Sequence, residues 1–157
     1  MRHDTRLSRM LHVLIHMDRY DGPATSEVIA HMLGTNPVVV RRTMAGLRDR
    51  GYVRSEKGHG GGWVLTRPLA DITLRDIHAA LGSPQLFSIG LSGDNPECVV
   101  EQAVNAALEE AMNEAENILL AKFGTVTLAN LAEESLKRWG QHGACSPSSR
   151  VAEEPRI

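Results

Sequence analysis

Three arginines, Arg41, Arg42 and Arg48, follow an Asn-Pro pair at Asn36 and Pro37 and a valine at Val38. A guanidinium can bond guanine bidentately or grip a phosphate, a carboxamide can bond adenine, and a valine can touch a thymine methyl, so this set suits duplex DNA. Asn36, Pro37, Val38 and Arg41 fall where a helix begins and are the candidate base readers; Asn36 serves only where its side chain is not spent as the helix cap. Arg42 and Arg48 are candidates for phosphate. Ser26, at the start of the preceding helix, is a further phosphate candidate, helped by the helix dipole. Lys57 and His59 lie in a glycine-rich stretch, KGHGGG, that can reach a neighbouring groove or phosphate. That stretch lacks the Gly-Lys-Ser/Thr ending of a nucleotide-binding loop and reads as a hairpin tip.

Other reactive side chains are sparse. Cys98 falls in the first turn of a long helix, where the dipole lowers a thiol's pKa while Glu97 and Glu101 oppose it. It is a candidate redox sensor, with a small packed residue as the alternative. His12 and His16 stand four apart and could share a metal from one helix face, but only His31 or Asp18 offer further ligands and no metal motif is complete. No nucleophile, base and orienting group cluster in the sequence, so no catalytic residue is assigned and an enzyme is not expected.

The elements that must hold these residues follow from periodicity and caps. Val40, Met44 and Leu47 form one buried stripe, leaving Val38, Arg41, Arg42, Ala45 and Arg48 outside. Gly51 can close that helix in the left-handed conformation, and residues 52–54 and 63–65 read as two short strands. Upstream, Asp4 can cap a helix to about Arg19 with Leu7, Met10, Leu11, Leu14 and Met17 buried, and Thr25 or Ser26 can cap a shorter one to Leu33. Two helices joined by a tight link, the second basic and followed by a hairpin, predict a winged helix-turn-helix. The expected fold class is mainly α with a small β-hairpin wing, plus a long C-terminal dimerisation helix.

That long helix is expected from about Glu97 to Phe123, after the Asn95-Pro96 start signal. Its stripe of Val100, Val104, Ala107, Ala111, Ala115 and Ile118 exceeds what one small domain needs, so it is expected to pair with a second copy in a homodimer. Thr127 can cap a last helix to about Trp139. The expected domains are a DNA-binding domain over residues 1–82, a connecting loop over 83–96, dimerisation helices over 97–139 and a disordered tail over 140–157.

The net charge of −2 conceals an asymmetry. Residues 1–68 carry 11 Lys and Arg against 6 Asp and Glu, a net of +5, and the remainder carries −7. The front half attracts a polyanion and the back half should face away from one. No run is long and apolar enough for a membrane span and the first residues lack a secretory pattern, which predicts a cytoplasmic protein. Two cysteines, Cys98 and Cys145, make no disulfide framework.

The ordered set RDRGYV, GHGGGW running into LTRP, ITLRDIHAAL, NPEC and TVTLANL resembles the Rrf-two family of winged-helix bacterial transcription regulators over about residues 1–138. The resemblance implies a dimeric repressor or activator, repression being the commoner outcome, with the long helices crossing and two winged domains reading two half-sites. Many members hold an iron-sulfur cluster on three cysteines. Here only Cys98 matches, Val104 and Glu110 standing where further thiolates would be, which points to the cluster-free branch and no cofactor. The function expected is a sequence-specific DNA-binding transcriptional regulator, with response to redox or a small effector open. The alternative is a small helical metal- or thiol-handling protein using Cys98 and the His12/His16 pair.

Overall fold

The computed structural model describes residues 4–142. The first helix, α1 (Arg6–Asp18), is preceded by Asp4, whose carboxylate accepts the Arg6 N–H at 2.9 Å and pairs with its guanidinium at 2.6 Å, while Thr5 occupies the cap position. It buries Met10, Val13, Leu14 and Met17, with Leu7 and Leu11 at the margin of the core. Thr25 caps α2 (Ser26–Leu33) by accepting the Val28 N–H at 3.2 Å, and Gly34 closes it. Asn36 caps α3 (Pro37–Asp49), which packs on α2 through Val40, Met44 and Leu47. Past Arg50, Gly51 takes a φ of +72°, and the Tyr52 N–H then reaches the Leu47 carbonyl at 3.0 Å. The chain is thereby turned into the wing.

The wing is an antiparallel pair, β1 (Val53–Glu56) and β2 (Gly62–Leu65), with Val53 opposite Leu65 and Glu56 opposite Gly62. Ala24 adds a bridge on the far side of β2: its N–H and carbonyl exchange bonds with Trp63 at 2.9 and 2.8 Å. This approach needs glycine at position 62, because a Cβ there would sit 2.7 Å from the Ala24 backbone. The wing is therefore fastened to the start of α2 as well as to the end of α3.

After a single 3-10 turn, Leu69–Asp71, Thr73 and Asp76 form a capping box that starts α4 (Leu74–Ala80). The long helix α5 (Val99–Thr125) begins later than expected. Asn95 and Pro96 build a turn ahead of it, with the Asn95 carbonyl accepting the Cys98 N–H at 2.9 Å, and Cys98 takes the cap position. Gly124 lies within α5 and does not end it. The last helix, α6 (Leu128–His142), starts from a second reciprocal cap between Thr127 and Asn130.

The sequence grouped α6 with α5, but α6 packs on α1. The Leu128 N–H bonds the Ile72 carbonyl at 2.8 Å and the Leu74 N–H bonds the Val126 carbonyl at 3.0 Å, so α4 and α6 leave from one point. Leu128 is fully buried in the same core as Leu14, Ile29, Met44 and Ile77. Arg19 ties the far side, bonding the Ala132 carbonyl at 2.9 Å and the Ser135 hydroxyl at 3.1 Å. Burial of each such Leu, Ile or Met side chain contributes about 1.5–3 kcal/mol, and the core they form is shared by α1, α2, α3, α4 and α6. The expected tail from residue 140 falls mainly on residues 143–157, outside those described, and α6 continues past Trp139 to His142. Among the described residues no helix is long and apolar enough to cross a membrane.

Candidate nucleic-acid interface

The outer surface of α3 is set by its buried stripe. Val38, Arg41, Arg42 and Arg48 are all exposed, and Ala45 is half-buried between them. Asn36 Oδ1 accepts the Val38 N–H at 2.8 Å, so its oxygen is engaged as the cap and Pro37 fills the first helical position. Arg41 leans toward α2, with Nη1 3.4 Å from a Glu27 carboxylate oxygen, and Arg48 pairs with Asp49 at 3.0 Å. Arg42 has no ion-pair partner among the described residues. Both exposed pairs are accessible to water and should yield readily to a phosphate, since such pairs contribute about 0–1 kcal/mol.

Because the cap is local, Asn36→Ala should cost about 1 kcal/mol of folding stability while Asn36→Ser restores both stability and DNA affinity. Urea unfolding paired with a binding titration checks this. Loss of base preference in the Ser variant would instead make the carboxamide a reader.

Ser26 requires a correction. It is buried, and its hydroxyl oxygen accepts the Trp63 indole N–H at 3.0 Å, so it fastens the wing to α2 and does not face a phosphate. Lys57 and His59 are exposed at the tip between β1 and β2, where the Gly61 N–H bonds the Gly58 carbonyl at 3.0 Å. Arg54 pairs with Glu56 at 2.7 Å, leaving Lys57 as the cation most open to an anion from this hairpin. At the wing's base the Arg67 guanidinium lies 5.2 Å from the centre of the Tyr52 ring, a cation–π contact. One exposed residue was missed by sequence reading: Val39, in the first turn of α3. The run of three valines hides which of them face out, and only the stripe through Val40 separates them.

Away from α3, the stripe expected to meet a second copy is uncovered. No α5 residue is buried, Val104 being 52% and Ile118 66% exposed, and Val100, Ala107, Ala111 and Ala115 are exposed with them. The side of α5 that meets the rest of the chain is a different one, carrying Glu101, Asn105, Met112, Glu116, Leu119 and Phe123, all partly buried. His78, buried at the end of α4, sits edge-on to Phe123 and shares a 2.9 Å hydrogen bond with the Pro84 carbonyl. An open recess of about 310 Å³ lies between α5 and residues 85–91.

Cys98 is fully exposed, and N–H groups of Glu101 and Val100 at the start of α5 hold its thiol below the usual cysteine range. The carboxylate of Glu101, expected to oppose this, is engaged by the Asn95 N–H at 3.2 Å. The His12 and His16 rings are 4.6 Å apart, and burial, then His12 and Arg19, lower the His16 pKa. Among the described residues no three His, Cys, Asp or Glu side chains group as a metal site requires.

A basic helix face on a docked wing is the geometry of a DNA-binding regulator, and known proteins agree. The family model described as "Rrf2: Iron-dependent Transcriptional regulator" matches residues 3–134. The chain belongs to the Rrf2 family. It is therefore a transcriptional regulator with a winged-helix fold and no enzymatic activity. Among Rrf2 relatives, it is 31% identical over 113 residues to YffB of Lactococcus lactis, named as an HTH-type transcriptional regulator, covering 71% of this chain and 72% of that one. It is 29% identical over 129 residues to YwnA of Bacillus subtilis, named in the same way, covering 82% of this chain and 95% of that one. The Rrf2 fold recurs in IscR of T. potens, at a TM-score of 0.63, 20% identity and coverage of 88% and 90% of the two chains. It recurs also in CymR of Staphylococcus aureus, at a TM-score of 0.62, 21% identity and coverage of 83% and 97%.

Proposed function

We propose that this Rrf2 regulator is a cytoplasmic homodimer that binds two half-sites of duplex DNA and represses by occupying them. The observation that carries the reading is the exposed arginine face of α3 opposite a fully packed stripe, with Lys57 exposed at the tip of the wing that follows it. The N-terminal turn of α3 enters the major groove and the wing lies on the adjoining backbone. The uncovered stripe of α5 supports pairing with a second copy, and the acidic back half, α5 included, stays off the polyanion.

The reading also includes working without an iron-sulfur cluster. A cluster needs about four ligands, mostly thiolates. Cys98 is the one cysteine among the described residues, Val104 and Glu110 cannot replace thiolates, and this donor set does not fit the group. Cys98 instead supplies an accessible thiol through which an oxidant can act on the dimer. In a Cys145→Ser background, Cys98 should alkylate with iodoacetamide faster at pH 7.5 than an unperturbed thiol, because its lowered pKa leaves more thiolate there. A rate equal to that of a model thiol at every pH would contradict this, and diamide-insensitive DNA binding would remove the sensor role.

The test of DNA recognition is fluorescence anisotropy of the reduced protein on duplex from upstream of its own coding sequence against a scrambled duplex, over a salt series. Three cations from each of two chains neutralising about six phosphates give a slope of log affinity on log salt of roughly −5. Preference for the native duplex with a steep slope is expected. No binding at low salt would overturn the reading.

A further inference from the structure

On α3 the buried side is marked by Val40. Arg41, one residue on, lies roughly 100° around the helix, on the flank where it meets Glu27. Val38 and Arg42 each lie two residues from Val40, roughly 200° around, so both point straight away from the core. Standing four apart, they are stacked one turn above the other on a single line. Val38 is 55% exposed and lies outside the core, and Arg42 has no ion-pair partner among the described residues. The residues at the centre of the DNA-facing surface are thus a methyl-bearing side chain and an uncommitted guanidinium, about 5–6 Å apart at their Cβ atoms. Adjacent bases along one strand rise about 3.4 Å, so two side chains stacked in this way can address neighbouring bases.

We propose that Val38 and Arg42 jointly read a thymine next to a guanine in each half-site. The Val38 isopropyl group covers the thymine C5 methyl, and the Arg42 guanidinium donates to guanine O6 and N7. Arg41, held on the flank by Glu27, meets the backbone phosphate. The roles of the two neighbouring arginines are exchanged relative to those expected from sequence. This assignment rests on the DNA-binding reading above and specifies what the operator must contain.

The test is selection of bound duplexes from a randomised pool by the full-length protein and by Val38→Ala, Arg41→Ala and Arg42→Ala, all at exposed positions. Enriched half-sites should share a dT beside a dG. Arg42→Ala should lose preference at that dG, by roughly 5- to 150-fold, and Val38→Ala should lose it at the dT. Arg41→Ala should weaken every duplex alike and leave the motif unchanged. On the best duplex, replacing that dT by dU in one half-site removes only a methyl group and should cost about fourfold, with no cost left in Val38→Ala. A motif lacking the thymine–guanine pair, or dG preference lost in Arg41→Ala and kept in Arg42→Ala, overturns the proposal while DNA binding stands. No enrichment and no binding to any duplex overturns both.

Discussion

A chain carrying Val104→Asp and Ala111→Glu should run as a monomer and lose at least about 100-fold in affinity for a duplex with two half-sites. Both positions lie on the uncovered stripe of α5, away from the side that carries Met112, Leu119 and Phe123. Neither change touches the core, so the circular dichroism spectrum should hold, while the unfolding midpoint should fall by what dimerisation supplies and lose its dependence on protein concentration. In a dimer related by a two-fold axis each substitution appears twice in one interface, and the carboxylates are desolvated and repel. The two winged domains are then no longer held together, so the second half-site is bound without the effective concentration that linkage supplies. Binding to a single half-site should be nearly unchanged. Light scattering with anisotropy on one- and two-site duplexes separates these outcomes, and a variant that stays dimeric would place the interface elsewhere.

Trp63→Ala should cost about 3–5 kcal/mol, a large share of the 5–15 kcal/mol that stabilises a typical domain. Trp63 fills the junction of the wing, Ala24 and α2, and its indole N–H is the donor to the buried Ser26 hydroxyl. Truncation opens a cavity and leaves Ser26 without that donor. Trp63→Phe retains most of the apolar surface and should cost only about 1 kcal/mol for the hydrogen bond. Urea unfolding of the pair measures both effects. A cost under about 1 kcal/mol for Trp63→Ala would mean that the wing is not fastened through this residue.

The contrast between Trp63 and Arg42 shows where sequence reading stops. Asn36 and Pro37, the Val40, Met44 and Leu47 stripe, Gly51 and the two strands were legible because caps, periodicity and a positive φ are local properties. Ser26 was misread because its partner lies 37 residues away, on a strand whose docking on α2 no spacing reveals. The two arginines could be placed outside the stripe, but the assignment of the base to Arg41 and of phosphate to Arg42 could not weigh the flank toward Glu27, which exists only once α2 is packed on α3. Likewise α6 carries a strong amphipathic pattern, which says that one face is buried without saying against what. Its place on α1 is set by the Leu128 and Val126 backbone bonds beside Thr73. The late start of α5 has a similar cause: Asn95 and Pro96 carry a start signal that is spent on a turn.

The measurement that bears most directly on the account is the stoichiometry of the protein on its preferred duplex, by sedimentation velocity at saturating protein. Two chains per duplex, bound together in one step by the unsubstituted protein and one at a time with weaker affinity when the α5 stripe is charged, is the result expected from a dimer reading two half-sites through α3. One chain per duplex at saturation, with an affinity that the α5 substitutions leave untouched, would contradict it.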